Sequence, residues 1–189
     1  MGWYIQPDYT QKTDDLYNAT FAQQNALSEE NSLTAHQILS KHIVAKLWQG
    51  KHRKQNMYVT TSDGRIEYVA AIPSIVEEEM AKLYKDIEIL CQSNLSIQEA
   101  FYFASMIHLV FVKIHPFNDG NGRMGSLLEK WFLAKCLGDK AWLIQSEKYY
   151  YQHHQTYYNN IRTLGLEYEA LDHTKALAFL EMLPNSLTL

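Results

Sequence analysis

The sequence predicts a mostly helical, all-α-type domain that carries one β-hairpin. Residues 97–114 form a strongly apolar run without glycine or proline, and residues 124–137 form a second apolar run. Elsewhere apolar residues recur at helical spacing, as in Val76, Met80, Leu83, Ile87 and Leu90. Strand-like alternation is confined to residues 57–69, on either side of a turn-forming tetrapeptide. The 189 residues contain no repeat, low-complexity tract or linker, so a single domain over 1–189 is expected.

In chain order, residues 1–10 hold Trp3, Tyr4, Ile5 and Pro7, an extended apolar entry to the core. A helix is expected from about Asp14 to Glu30, with Asp14 and Asp15 favourable at its positive end and Asn31-Ser32 interrupting it. Thr34 and Gln37 have capping-box spacing and predict a helix running to about Gln49 and stopping at Gly50. Tyr58–Thr61 and Ile66–Val69 flank Ser62-Asp63-Gly64-Arg65, a hairpin turn. Pro73 suits a first helical turn, and the Glu77-Glu78-Glu79 triplet behind it is a solvated face rather than a metal site. Ser96 and Glu99 cap the central helix. The next helix begins at about Gly122 and ends near Gly138; further helices are expected at 146–164 and 172–183. The domain then divides into an N-terminal helical segment (14–31), a core of about 34–164 and a helical extension over 165–189.

Composition narrows the function. Seventeen basic against 21 acidic residues give a net charge of −4 with no basic stripe, which disfavours nucleic-acid binding and a polybasic membrane tether. Cys91 and Cys136 lack metal-ligand spacing and are expected to be buried thiols in a reducing compartment. No segment reads as a bilayer span or a signal layout, so no membrane association and a cytoplasmic location are expected. The 13 tyrosines fall mostly on helical patterns, where core or interface packing is the default; a homodimer is among the expected assemblies.

The chemistry concentrates in His115-Pro116-Phe117-Asn118-Asp119-Gly120-Asn121-Gly122-Arg123, a polar loop between the two apolar runs. Gly120, Asn121 and Gly122 can turn successive amides into one concavity, and the helix start behind them adds unpaired N–H groups and a positive dipole end. That is an anion site, with phosphate the usual occupant. Arg123 adds a forked permanent cation. Asp119 beside a phosphate needs an intervening cation, a role that suits Mg²⁺. His115 is the side chain best able to take a proton near neutrality. Together these residues describe a base beside a metal-bound polyphosphate, a site for phosphorus-group transfer to a hydroxyl.

This stretch resembles the Fic family motif, His-x-Phe-x-Asp/Glu-Gly-Asn-Gly-Arg-x-x-Arg, at every fixed position from His115 to Arg123. The resemblance spans roughly Thr34 to Leu164. It implies a helical bundle with a hairpin flap over the active site, and transfer of AMP from ATP to a protein hydroxyl. His115 would be the general base, Asp119 the Mg²⁺ ligand, and Gly120, Asn121, Gly122 and Arg123 the phosphate cradle, with Phe117 anchoring the loop. The flap, residues 57–69, would align the target protein by strand addition; on residues alone it reads equally as a structural hairpin. Ser126 stands where the family places a second arginine against the ATP γ-phosphate. Tyr157 and Tyr158 sit where relatives have a tyrosine pair lining the adenine pocket, although core packing also accounts for them.

The resemblance further implies the branch with an inhibitory N-terminal helix, whose regulatory glutamate would be Glu29; a solvated helix-end glutamate explains it as well. The expected function is protein AMP transfer. The alternatives are AMP removal supported by Glu29, transfer of another phosphorus-containing group, or a nucleotide-binding regulatory module weakened by Ser126. His108 is expected to be a satisfied core histidine, and His153-His154 are given no role.

Overall fold

The computed structural model describes residues 18–61 and 64–188. The expected entry at 1–10, the helix start at Asp14 and two turn residues, Ser62 and Asp63, lie outside that range. Helix α1 is described over residues 18–24, followed by α2 (Glu29–Leu39), β1 (Tyr58–Thr60), β2 (Ile66–Val69), α3 (Pro73–Gln92), α4 (Ile97–Ile114) and α5 (Asn121–Leu137). The chain finishes with α6 (Ser146–Gln152), α7 (His154–Thr163), α8 (Leu177–Leu180) and α9 (Met182–Asn185), interspersed with 3₁₀ turns.

Helix α4 is the axis of the molecule. Its Ser96/Glu99 capping box forms as expected: the Ser96 N–H donates to Glu99 Oε2 at 2.8 Å and the Glu99 N–H to Ser96 Oγ at 3.3 Å. It packs most extensively on α5, with α3 on one side and α8 and α9 on another. Leu109, Phe111, Ile114, Leu128, Trp131, Phe132 and Leu133 are fully buried there. Each contributes about 1.5–3 kcal/mol of hydrophobic stabilisation. Contrary to the sequence expectation, α4 is long and apolar enough to cross a membrane by length and composition, the one such helix among the described residues; most of it is buried inside the fold, as in a core helix. Helix α3 begins at Pro73 and buries Val76, Met80, Leu83 and Ile87. Its acidic triplet faces solvent, with Glu77 paired to Lys54 and Glu78 and Glu79 paired to Lys82.

The ends of the chain depart from the sequence expectation. Asn31-Ser32 does not interrupt a helix. The break falls at 25–28, where Asn31 Nδ2 donates to the Ala26 carbonyl and Ser28 caps α2 by accepting from the Asn31 N–H. Thr34 therefore sits inside α2, its hydroxyl bonded back to the Glu30 carbonyl, and caps nothing. The helix expected to reach Gln49 ends at Leu39. The 146–164 helix splits at His153, and 172–183 resolves into a 3₁₀ turn and the short helices α8 and α9. Cys91 is exposed and Cys136 half-buried, both free, so the expectation of buried thiols fails for Cys91.

The hairpin is antiparallel, pairing Tyr58 with Val69 and Val59 with Tyr68, with a bulge between Val59 and Thr60. A lone hairpin is marginal in water, but this one is seamed to α7. The Val69 N–H donates to Leu166 O at 2.9 Å, and Arg162 Nη2 donates to Ile66 O at 2.9 Å. Glu67, fully buried, is held between Arg162 at 2.6 Å and Arg65 at 3.1 Å. Both oxygens of the buried carboxylate are thereby partnered, which such burial requires.

Candidate active site

His115 caps the C-terminus of α4 in the left-handed region (φ 55, ψ 58), the one non-glycine residue among those described to do so. A backbone so placed costs on the order of 1–3 kcal/mol. Arg53 offsets that cost. Fully buried, it donates through Nε to His115 O at 2.6 Å and through Nη2 to Ile114 O at 3.1 Å and Ala71 O at 2.5 Å. Its Nη1 donates to Gln55 O, and its own N–H to Pro116 O at 2.8 Å. A charged donor at a helix C-terminus also complements the dipole, and each such bond is worth about 1.5–3 kcal/mol. The helix end is thus clamped with the imidazole held over the loop.

The imidazole has its Nδ1 3.1 Å from the Tyr68 hydroxyl. Burial lowers its pKa from 6.5 to about 4, helped by the Arg53 charge and opposed by a bond to the Val112 carbonyl and the charge of Asp119. The ring is therefore neutral, with a proton-accepting nitrogen, throughout the physiological range.

Below the loop, His36 of α2 acts as a strut. The Gly50 N–H donates to its Nδ1 at 2.9 Å, so the ring proton lies on Nε2, which donates to Asp119 O at 3.0 Å. The ring stacks on Phe117 with centroids 3.6 Å apart and planes 4° from parallel. Phe117 is buried, as the resemblance implied. Asn121 clasps the loop from the other side: its Oδ1 accepts from the Phe117 N–H at 2.9 Å and its Nδ2 donates to Phe117 O at 2.8 Å. Its side chain is committed to the loop, so only its backbone N–H can face a ligand.

Helix α5 starts at Asn121, one residue earlier than expected, behind Gly120 at φ 79. A Cβ on Gly120 would lie 2.9 Å from Leu39 Cδ2, so both backbone and space require glycine. At Gly122 a Cβ would meet nothing within 4 Å. The open N-terminus of a 17-residue helix therefore faces free space, the arrangement that accepts an anion. Asp119 is exposed, its Oδ1 accepting from the Gly120 N–H at 2.6 Å. Arg123 stands half-buried in the first turn, close enough to lower the pKa of His36. Among the described residues no three His, Cys, Asp or Glu side chains converge on a point, so a caged metal such as zinc does not fit. One exposed carboxylate beside an open helix N-terminus does fit Mg²⁺, which would take its remaining oxygens from phosphate and water.

The loop residues from His115 to Arg123 thus lie together between the end of α4 and the start of α5. Three other candidates lie differently. Tyr157 is buried, with its hydroxyl 3.0 Å from His108 Nε2. His108 Nδ1 is 2.9 Å from Glu129 Oε2, which also accepts from the Tyr150 hydroxyl at 2.7 Å. Tyr157 therefore ties helices α4 to α7 together; its hydroxyl is occupied there, and His108 is the satisfied core histidine expected. Ser126 is buried at 5% exposure on the second turn of α5. Glu29 opens α2 instead of closing an N-terminal helix, and its charge is felt at His52 and Tyr84.

Sequence reasoning missed His36, Arg53 and the role of Tyr68. His36 had a signal: with Ser32, Ala35 and Leu39 it makes one helical stripe, now seen to be buried. Arg53 had none, standing between Lys51, His52 and Lys54.

A family model described as the Fic/DOC family matches residues 26–133, more than half of the chain. No curated protein matches the chain. Among solved structures, a Fic family protein from Desulfovibrio desulfuricans G20 superposes with a TM-score of 0.71 at 19% identity, covering 94% of this chain and 53% of that one. A Fic domain containing signaling protein from Bacteroides thetaiotaomicron VPI-5482 gives 0.72 at 17% identity, covering 95% and 70%. The BepC protein from Bartonella tribocorum, a VirB-translocated effector with bound AMPPNP, gives 0.57 at 18% identity, covering 93% and 83%. The chain thus spans about half the length of the Desulfovibrio protein.

Proposed function

Because the chain belongs to the Fic/DOC family, we propose that it is a protein adenylyltransferase, moving AMP from Mg²⁺-bound ATP to a hydroxyl side chain of a target protein in the cytoplasm. The observation that carries this reading is the neutral imidazole of His115 clamped beside an open, glycine-lined helix N-terminus. A relative crystallised with AMPPNP supports a nucleotide as the ligand of that cradle.

In the proposed reaction the His115 imidazole, whose Nδ1 lies 3.1 Å from the Tyr68 hydroxyl, takes the proton of the target hydroxyl. The freed oxygen forms a bond to the α-phosphorus, the bond to the bridging oxygen of the β-phosphate breaks, and pyrophosphate leaves. The first-turn N–H groups of α5 at Asn121 and Gly122, with the Arg123 guanidinium beside them, bind the phosphate oxygens as charge develops. Magnesium, when bound, neutralises phosphate charge, and Asp119 is the residue that would hold it. Ser126 offers no cation to the terminal phosphate, so the affinity for ATP rests on the first turn of α5. The target segment adds to β1, whose outer edge has no strand partner among the described residues.

Incubation with α-labelled or γ-labelled ATP and cell extract tests this. Protein-bound label from the α position, abolished by His115→Ala with nucleotide affinity retained, is the expected result. Label from the γ position alone would establish phosphorylation instead, and tight nucleotide binding without label in protein would establish a regulatory module.

A further inference from the structure

The net charge conceals an uneven distribution. Residues 31–62 contain Lys41, Lys46, Lys51, Arg53 and Lys54 and no Asp or Glu, so they carry +5 in a chain of −4, and the remainder carries −9. Arg53 is turned inward on the end of α4. The four lysines are exposed, and of them only Lys54 has an acidic partner among the described residues, Glu77.

The backbone that presents these lysines is pinned. Gln49 Nε2 donates to Lys41 O at 3.1 Å and to Val44 O at 3.0 Å, which folds 41–49 onto itself. Gly50, at φ 64, closes against α2: its N–H donates to His36 Nδ1, and a Cβ there would lie 2.7 Å from Leu33 O. Between this loop, α2 and the start of α3 lies a cavity of about 350 Å³. That is the lower end of the usual range for ligand clefts, about 300–1,000 Å³. Leu33 and Trp48 form its apolar wall, and Lys51, His52 and Lys54 line it with polar groups, as does Glu77. Next to Trp48, Leu47 is 63% exposed.

An apolar wall beside unpaired ammonium groups suits an apolar side chain flanked by carboxylates. Nucleic acid and anionic bilayers present continuous negative charge, which Glu77 and Glu78, both exposed at this end of α3, would repel. A peptide can set its carboxylates opposite the lysines alone. The surface also leads into the hairpin, since Lys54 stands four residues before Tyr58, at most ~14 Å along the chain.

We propose that the surface around Lys46, Trp48 and Lys51 docks an acidic segment of the target protein, with one apolar side chain of that segment seated against Leu33 and Trp48. The transferase reading is needed only to call this partner the target; the charge and the cavity stand without it. A segment lying on the edge of β1 would then reach the lysines with its flanking residues, and acidic flanks would mark the preferred targets.

The test uses the full chain and a short fluorescein-labelled peptide of Glu and Ser with one central Phe. Its anisotropy should rise on binding, with an affinity that falls as salt is added. Changing Phe to Ser, or every Glu to Lys, should remove binding. The Lys46→Glu, Lys51→Glu double variant should bind about five- to tenfold more weakly, and Trp48→Ala about tenfold. The Lys135→Glu, Lys140→Glu pair makes the same charge change at the far end of α5 and should stay within about twofold. With α-labelled ATP and cell extract, the Lys46→Glu, Lys51→Glu protein should label less protein, with the KM for ATP within about twofold. No peptide binding, equal loss in both charge-reversed pairs, or indifference to the Phe would overturn the proposal. So would tighter binding of an RNA oligomer or of phosphatidylserine vesicles that depends on Lys46 and Lys51. Peptide binding as expected without label transfer by the wild type would count against the transferase reading and leave the docking surface standing. Label transfer without peptide binding would do the reverse.

Discussion

Acidification should loosen the fold through His36, the strut beneath the loop. Its pKa is lowered from 6.5 to about 4, chiefly by burial, with the Arg123 charge and His52 adding to the shift and the Asp119 carbonyl and carboxylate opposing it. The unfolded chain therefore binds a proton at His36 that the native state refuses between these two values, so the stability it contributes is present above pH 6.5 and is lost as pH falls toward 4. Going from pH 8 to pH 5 crosses 1.5 units of that window, and at about 1.36 kcal/mol per unit this removes about 2 kcal/mol. His115 shares the direction, so the His36 part has to be isolated. His36→Gln retains a donor for Asp119 but cannot titrate. Urea unfolding of both proteins at pH 8, 7, 6 and 5 should show the wild type losing about 2 kcal/mol more than the variant. Parallel stability–pH curves would refute the argument, since they would mean that protonating His36 costs the folded state nothing.

Gly125→Ala should destabilise by about 1–3 kcal/mol and lower Tm by several degrees in a thermal scan. A Cβ there would sit 3.0 Å from both His108 Cδ2 and Val112 Cγ1, and His108, bonded at both nitrogens, has no room to give. Arg53→Lys should cost about 3 kcal/mol or more by chemical denaturation, because one ammonium cannot reach four carbonyls. With the helix end released, transfer by this variant should fall at temperatures where it remains folded. The pH–rate profile of kcat/KM should lack an inflection near 6.5 on its acidic side. With His115 as the proposed base, which acts unprotonated and whose pKa is about 4 in the free protein, activity should be lost only as pH falls through that lower value.

Much of the architecture was legible because its signals are local. Helix α4 announces itself by the Ser96/Glu99 pair and an unbroken apolar run, α3 by Pro73 and its stripe, and α5 by the stop at Gly138. The hairpin is legible from its alternation. The segments around 25–34 and beyond 146 were not, because competing caps lie close together there. Ser28 captures the Asn31 N–H that a Thr34 cap would have left in a loop, and His153 ends α6 without a glycine or proline to mark it. The loop from His115 to Arg123 was readable for the same reason as α4: its chemistry is contiguous. Its supports are not. His36 reaches Asp119 across 83 residues, Arg53 reaches His115 across 62, and Tyr68 does so across 47. No sequence spacing relates residues that only tertiary packing brings together.

The seam that ties β2 to Arg162 of α7 and to Leu166 just beyond that helix bears on how a target segment would meet this protein under the proposed function. With Glu67 locked between two guanidiniums and the Val69 amide already spent, the hairpin is a fixed rail, not a swinging door. Under the proposed function, a target segment would have to bring its own extended shape to the free side at Tyr58–Thr60. Selection would then fall on how readily each candidate straightens before it arrives.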